Sequence, residues 1–184
     1  EEIAREKVGI IKPGAHVVSA RQHPEVTAVI EAAVRAQGAT SWAAGEDFAL
    51  ESRAVAVGGQ SVTLRVGERE LGDVLLPLFG AHQADNAAVA LAAFAAFTGE
   101  AFERMDDDVL RHGLEAVRVP GRLEIVQREP TVLLDGAHNP HGAQASARAI
   151  AEAFAFGELV LVAACMEDKD IEAILGAFRE AVSH

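Results

Sequence analysis

The chain has 184 residues, of which 50% are hydrophobic and 24% charged, and its formal net charge is −12. This composition predicts one or two small folded domains with a sizeable core. The acidic balance argues against a nucleic-acid partner, because binding to a phosphate backbone requires a basic surface. No apolar run approaches the ~18 residues that cross a bilayer, so we expect no membrane partner. The single cysteine, Cys165, cannot form an internal disulfide, which favours a reducing cytoplasm.

The first quarter of the chain predicts a strand and helix of the parallel α/β kind. Residues 2–7 resemble the end of a helix, and residues 16–19 a short buried strand. A helix over about 24–36 begins at Pro24 and ends before Gly38, the usual punctuation of a helix. Because the chain begins within a predicted helix and lacks an initial methionine, we expect a fragment of a longer protein.

The middle of the chain changes character. Residues 52–57 and 61–66 predict a hairpin with a Gly-Gly turn, which belongs to a small antiparallel sheet. Residues 82–97 then predict an alanine-rich helix, whose small side chains permit close packing against a neighbour. A second helix is predicted over 106–117, with acidic residues at its N-terminus.

A break at residues 118–122, rich in turn-forming residues, predicts a linker or sharp turn. Strand and helix alternate again beyond it. The predicted strands are 123–127, 131–135 and 158–164, and the predicted helices are about 141–154 and 170–182.

The most informative motif is Leu-Asp-Gly-Ala-His-Asn-Pro at 134–140. The apolar residues 131–134 predict a buried strand that ends at Asp135, and Pro140 suits the first turn of a helix. Ligands of open α/β sheets bind at the carboxyl ends of the strands. There, Asp135 could contact a sugar hydroxyl and His138 a phosphate. His141 does not complete a zinc-binding set with His138, because no other ligand has suitable spacing.

The glycine loop and helix start at residues 80–86 leave two interpretations open. Backbone N–H groups at a helix N-terminus suit an anion, and His82 and Asn86 share one helical face. The same polar residues could instead cap the helix.

Three further groups are ambiguous when judged from spacing alone. Lys7 could be a partly buried lysine near an active site, but a solvated helix end is favoured. Arg122 could clamp a phosphate at a rigid turn, but a surface arginine beside a linker is favoured. The Met-Glu-Asp-Lys-Asp segment at 166–170 follows an apolar run, and it is either part of the site or a charged loop capped by Asp170.

Several common motifs are absent from the sequence. It contains neither the G-x-x-x-x-G-K-[ST] loop nor a G-x-G-x-x-G motif after a strand, and it has no G-x-S-x-G elbow. From residues alone, the chain is therefore an α/β protein with a nucleotide or phosphate site at an interdomain edge.

Five segments together resemble the folylpolyglutamate synthase/dihydrofolate synthase family of the Mur ligase superfamily. They are I-A-R-E-K-V-G-I-I-K-P-G at 3–14, L-F-G-A-H-Q-A-D-N-A at 78–87, P-G-R-L-E at 120–124, L-D-G-A-H-N-P at 134–140 and M-E-D-K-D at 166–170. The resemblance implies the back half of an ATP-binding central domain over 1–117, a linker at 118–122, and an incomplete Rossmann-like ligase domain over 123–184.

The resemblance also implies an ATP-dependent amide ligase. ATP would phosphorylate a carboxylate of folate or dihydropteroate, and L-glutamate would attack the acyl phosphate. Carried over by motif, Lys7 is carbamylated and positions Mg²⁺, for which an oxygen ligand is suitable. In the same way Asn86 and His82 are assigned to nucleotide binding, Arg122 to phosphate and Asp135 to ribose. His138 is assigned a catalytic place near the phosphates.

The resemblance has a gap, since the family's P-loop and its other magnesium ligands should precede Glu1. We therefore expect the fragment alone to be inactive and the whole protein to be a cytoplasmic monomer. Two alternatives stay open: a related ligase acting on another carboxylate, such as a peptidoglycan precursor, and a non-catalytic nucleotide- or folate-binding module.

Overall fold

The computed structural model describes residues 2–182, and the side chains of residues 2–179. The described part is a mixed α/β fold, as predicted. Its helices are α1 Glu2–Lys7, α2 Pro24–Gln37, α3 Ala81–Thr98, α4 Glu100–Glu103, α5 Asp107–Glu115, α6 Pro140–Ala153 and α7 Ile171–Val182. Its strands are β1 His16–Ser19, β2 Thr40–Ala43, β3 Phe48–Ala56, β4 Gly59–Val66, β5 Arg69–Leu76, β6 Glu124–Arg128 and β7 Thr131–Leu134. A 3-10 turn at Val8–Ile10 follows α1.

A parallel strand pair flanks α2. β1 and β2 pair in parallel, with His16 opposite Thr40 and Ser19 opposite Ala43. The crossover helix α2 ends where Gly38 adopts a left-handed conformation, with φ of 56°. Its backbone N–H bonds back to the last turn of α2, which satisfies carbonyls that a helix end leaves open.

β3, β4 and β5 form a three-stranded sheet in that order. Only two residues separate β3 from β4 and two separate β4 from β5, so neighbouring strands run antiparallel. Gly59 must be glycine, because a Cβ there would lie 2.1 Å from the carbonyl oxygen of Leu76. The predicted hairpin is thus confirmed.

Arg69 joins the start of β5 to the α4–α5 region. Its guanidinium donates to the carbonyl oxygens of Phe102 at 2.6 Å and Met105 at 2.5 Å, and to the Asp107 carboxylate. The guanidinium carbon also lies 5.1 Å from the centroid of the Phe102 ring, which is buried. One arginine therefore contacts α4, the connection after it and the start of α5.

The C-terminal part has an antiparallel strand pair and two packed helices. β6 and β7 pair with Glu124 opposite Leu134 and with an irregular register between Ile125 and Gln127. α6 and α7 pack against each other. A buried core joins them to the chain before α3, and its residues are Phe79, Leu123, Ala143, Ala147, Ala149, Ile150, Ile174 and Phe178.

Three expectations about strands are wrong. Residues 158–164 form no strand, because no neighbouring strand among residues 2–182 offers a hydrogen-bonding ladder; Val162 is 92% exposed. Within residues 2–182, β7 pairs with β6 and with no other strand, so β7 is not buried, and Leu134 is half exposed. β1 is only half-buried because β2 is its one partner strand in the same range.

Contacts divide the chain into two compact units. The first consists of residues 1–52, 63–72 and 85–110, and the second of residues 53–62, 73–84 and 111–184. The predicted domain limits at 117 and 123 stay a prediction. No helix in the described part of the chain is long and apolar enough to cross a membrane.

Candidate functional site

The turn between β7 and α6 carries Asp135 and His138 in the second unit. Asn139 ends this turn by capping α6: its side-chain oxygen accepts a hydrogen bond from the Gly142 N–H at 2.8 Å. Pro140 occupies the first turn of the helix, where its missing N–H has no cost. The local sequence therefore fixes the direction in which the turn enters α6.

The Asp135 carboxylate accepts three hydrogen bonds from the protein. Its Oδ1 accepts from the Ala137 N–H at 2.9 Å and from the Ser146 hydroxyl at 2.8 Å. Its Oδ2 accepts from the Leu123 N–H at 3.0 Å. Asp135 thus joins the residue before β6, its own turn and α6, and this structural role was not predicted from the sequence.

Arg122 lies next to Gly136. The motif at 120–124 and the motif at 134–140 are therefore neighbours in the fold, as a site shared by both would need. The Gly136 N–H donates to the Gly121 carbonyl at 2.8 Å. A Cβ at Gly136 would lie 2.9 Å from Nη1 of Arg122, so the absence of a side chain admits the guanidinium. Arg122 is exposed, and no carboxylate of the described residues pairs with it. Its N–H groups can therefore take an anion.

His138 is exposed on the same turn. Its Nδ1 lies 3.1 Å from the Gly136 carbonyl oxygen. In the tautomer with a proton on Nδ1, that nitrogen donates to the carbonyl and Nε2 is an acceptor. Three of the predicted site residues, Arg122, Asp135 and His138, are therefore brought together.

His82 belongs to the second unit as well, at the start of α3. The preceding Gly80 has φ of 91°, and a Cβ there would lie 2.8 Å from both the His82 ring and the Ala149 Cβ of α6. Helix α6 therefore packs directly on the loop that leads to His82. The side chain of His82 has partners within the protein.

A polar network that sequence analysis missed supports this loop. Gln60, which is 1% exposed, donates from Nε2 to the carbonyl oxygens of Leu78 at 2.9 Å and Gly80 at 3.1 Å. Its Oε1 accepts from Nε of Arg53 at 2.5 Å. Arg53 also forms a bidentate ion pair with Glu152 of α6. The signal was in the alternation of β4, where Gln60 shares the buried face with Val62, Leu64 and Val66.

The pKa of Glu152 lies below its ordinary value of 4.5. The main cause is the hydrogen bond from Arg53, which stabilises the ionised carboxylate, and the positive charge of Arg53 adds to it. Glu152 is thus held as an anion at neutral pH.

Lys7 and Asn86 belong to the first unit. Lys7 is exposed rather than partly buried, and its Nζ lies 3.5 Å from Oε1 of Glu6, as expected for a solvated helix end. Asn86 is exposed on α3 and has a partner within the protein. The proposed roles of both residues stay predictions.

The 166–170 segment is a charged loop before α7. Asp168 pairs with Lys169 at 2.7 Å, and this hydrogen bond lowers the pKa of the Asp168 carboxyl. Asp170 caps α7 by accepting from the Ala173 N–H at 3.0 Å. The predicted cap by Asp170 is confirmed, and a role of this segment at the site stays untested.

Comparisons with known proteins bear on the same motifs. Residues 121–184 match the Mur ligase, glutamate ligase domain family. The chain is 44% identical to a dihydrofolate synthase/folylpolyglutamate synthase of Mycobacterium tuberculosis, over 95% of this chain and 37% of the relative. A solved folylpolyglutamate synthase of M. tuberculosis complexed with ADP matches with a TM-score of 0.89 and 42% identity, over 96% of this chain and 40% of that one. An FPGS–AMPPCP–folate complex matches with a TM-score of 0.90 and 30% identity, over 98% and 44%.

The fold and the matched ligase domain place the chain among the Mur ligases. Within them, the chain belongs to the folylpolyglutamate synthase/dihydrofolate synthase family, which the five motifs predicted. The chain spans 37–44% of the length of these relatives.

Proposed function

We propose that the chain is part of an ATP-dependent ligase that adds L-glutamate to a carboxylate of folate or dihydropteroate. The reaction passes through an acyl phosphate: the γ-phosphoryl group moves to the acceptor carboxylate, the glutamate amine attacks the carbonyl carbon, and phosphate leaves. Ligation belongs to the whole protein, and the 184-residue chain alone does not turn over. The whole protein acts as a monomer in the cytoplasm, where its single cysteine in this segment stays reduced.

The observation that carries this proposal is the position of Arg122 beside the Asp135 turn. A guanidinium that pairs with no carboxylate among residues 2–179 can bind phosphate oxygens, while a carboxylate can accept a bond from a ribose hydroxyl. Phosphoryl transfer depends mainly on positioning and on neutralising charge. His138 supplies a polar ring at the same turn. The nucleotide-binding roles of His82 and Asn86 are carried over by motif alone.

Magnesium is part of the proposal through Lys7. Carbamylation would turn the Lys7 amine into an oxygen ligand, and the exposure of this side chain leaves it accessible to carbon dioxide. Among the described residues no group of three His, Cys, Asp or Glu side chains could hold a metal ion. In this proposal the Lys7 carbamate supplies one oxygen ligand of the ion and the phosphates of ATP supply others.

The test is an ATP-dependent glutamate-ligation assay on the whole protein, with dihydropteroate and a reduced folate offered separately and with this chain alone in parallel. We expect Arg122→Met to raise the KM for ATP about tenfold or more, the loss expected for one charge-assisted hydrogen bond. Arg128→Met is the matched control, because Arg128 is an exposed arginine at the end of β6.

Ligation to neither acceptor would sink the assignment to folate and point to another carboxylate. Equal KM values for ATP in the two arginine variants would remove Arg122 from the phosphate site. Turnover by this chain alone would contradict the expected inactivity.

A further inference from the structure

Arg53, Gln60 and Glu152 form a continuous polar chain from the sheet to helix α6, all within the second unit. Glu152 accepts from both terminal nitrogens of Arg53, with 2.9 Å between Nη1 and Oε1. The third nitrogen of Arg53 donates to Gln60. Each of the three guanidinium nitrogens therefore donates a hydrogen bond, which orients the side chain.

Gln60 transmits this orientation to the loop before α3. Its amide nitrogen has two hydrogens, and each has an acceptor, the carbonyl oxygens of Leu78 and Gly80. A buried amide with every donor satisfied has one favoured orientation, because turning it would leave buried polar groups unpaired. The chain of bonds therefore fixes α6 relative to residues 78–80.

Helix α6 connects this anchor to the Asp135 turn. Glu152 lies in its last turn, Ser146 lies in its middle and bonds to Asp135, and Asn139 caps its start. Ala149, which is 1% exposed, lies against Gly80 between these points. A shift of α6 along the loop would thus move the Asp135 turn relative to His82.

We propose that Arg53, Gln60 and Glu152 are positioning residues for nucleotide binding. They hold α6 where Ser146 meets Asp135 and where the Asp135 turn and His82 face a nucleotide in a fixed arrangement. The proposal rests on the proposed function of that turn. The Arg53–Glu152 pair is partly exposed, with side chains 18% and 42% accessible, so its worth to folding stability is small. Its effect is on geometry.

The first test measures amide hydrogen exchange in this chain without nucleotide. The reporters are the Leu123 and Ala137 amides, which donate to Asp135. We expect Glu152→Ala to speed their exchange by about threefold, the size of shift that one exposed ion pair supplies. Glu51→Ala is the matched control: Glu51 accepts from Arg65 at 2.6 Å, and the two side chains are 40% and 25% exposed.

The second test separates KM from kcat in the whole protein. Glu152→Ala should raise the KM for ATP about threefold or more and leave kcat and the KM for glutamate within about twofold, because binding geometry rather than chemistry is changed. Glu51→Ala should leave all three constants unchanged. Glu152→Asp, which keeps the charge, should recover part of the loss.

The outcomes distinguish this proposal from the proposed function. Unchanged exchange at Leu123 and Ala137 in Glu152→Ala would overturn the positioning role, whatever the enzyme assay gives. If Glu152→Ala speeds amide exchange but the wild-type whole protein binds no ATP, the nucleotide role is overturned. The three residues would then only hold α6 against residues 78–80. A rise in the KM for ATP with faster exchange supports both.

Discussion

Asp135 has a structural role that can be separated from ligand binding. Ser146→Ala removes one of its three hydrogen bonds and leaves Oδ1 paired with Ala137, so we expect a loss of about 1 kcal/mol in the free energy of unfolding. Asp135→Ala leaves the Leu123 and Ala137 amides without their acceptor, and we expect about 2 kcal/mol. Urea unfolding of this chain measures both values. Equal losses in the two variants would show that Ser146 carries the whole effect.

The Glu152 carboxyl makes a defined contribution to acid sensitivity. Its pKa is lower in the folded protein than its ordinary value of 4.5, because Arg53 stabilises the anion. The stability that results is present above pH 4.5 and is lost as the pH falls through the lowered folded pKa. The difference in Tm between wild type and Glu152→Gln should therefore be constant above pH 5 and shrink below about pH 4. A constant difference down to pH 3 would exclude this pair as the origin.

At the residue scale, the sequence predicted the Arg122, Asp135 and His138 positions through their motifs, and the structure brings these residues together. The resemblance supplied their assigned functions. It did not identify Ser146 or Glu152, because neither lies in a motif and each is recognised only by a partner distant in sequence. Long-range side-chain pairs leave no local periodic signal.

Among the elements, the loop before α3 depends on a glycine for two reasons that substitution can separate. In Gly80→Ala the new residue would have to adopt a positive φ, and its Cβ would also lie 2.8 Å from the Ala149 Cβ. In Gly58→Ala the new residue would have to adopt a positive φ of 83°, but no atom lies near its Cβ. A positive φ costs a residue with a side chain about 1–2 kcal/mol. Overpacking adds about 1–3 kcal/mol, so Gly80→Ala should be the more destabilising by that amount. Thermal unfolding of the two variants gives the comparison, and equal losses would contradict the close approach of α6.

Arg69 gives a second prediction about how elements are held together. Arg69→Met removes hydrogen bonds to Phe102, Met105 and Asp107, and we expect a loss of about 2–4 kcal/mol, because two carbonyls and a carboxylate lose their donor. Arg104→Met is the control: its ion pair with Glu100 at 3.2 Å is highly exposed and should change stability by less than about 0.5 kcal/mol. Comparable losses in denaturant unfolding would refute the role of Arg69.

Helices were predicted better than strands, and the reason is physical. The apolar period of α2 and the caps of α6 are local properties, so their bounds were recovered closely. A strand needs a partner: residues 158–164 are as apolar as a strand but have no ladder in the described chain. Conversely, β2 and β5 were not predicted, because their sequences are short or interrupted by Gly72 and Asp73.

For the molecule as a whole, charge and exposed apolar surface act in opposite directions. The net charge of −12 favours repulsion between copies, while Val160 and Val162, 74% and 92% exposed, lie in a segment that has no strand partner among residues 2–182. Salt screens the repulsion. We therefore expect this chain to self-associate as ionic strength rises, and less so in the Val160→Thr/Val162→Thr variant. Sedimentation velocity at low and high salt measures this, with Val57→Thr as the control, since Val57 is 99% exposed in an isolated turn.

If the double variant and wild type self-associate equally at high salt, the association does not depend on Val160 and Val162. Such a result would also leave the exposed segment without effect on solution behaviour.

The three protein hydrogen bonds to Asp135 bear on sugar selectivity. A carboxylate offers about four acceptor positions, and three are already filled by Leu123, Ala137 and Ser146. The free position is on Oδ2, so a bound nucleotide could place only one sugar hydroxyl there. If that hydroxyl is the one that deoxyribose lacks, the turn would bind the ribonucleotide more tightly by one charge-assisted hydrogen bond. The difference in affinity would be about 10- to 100-fold.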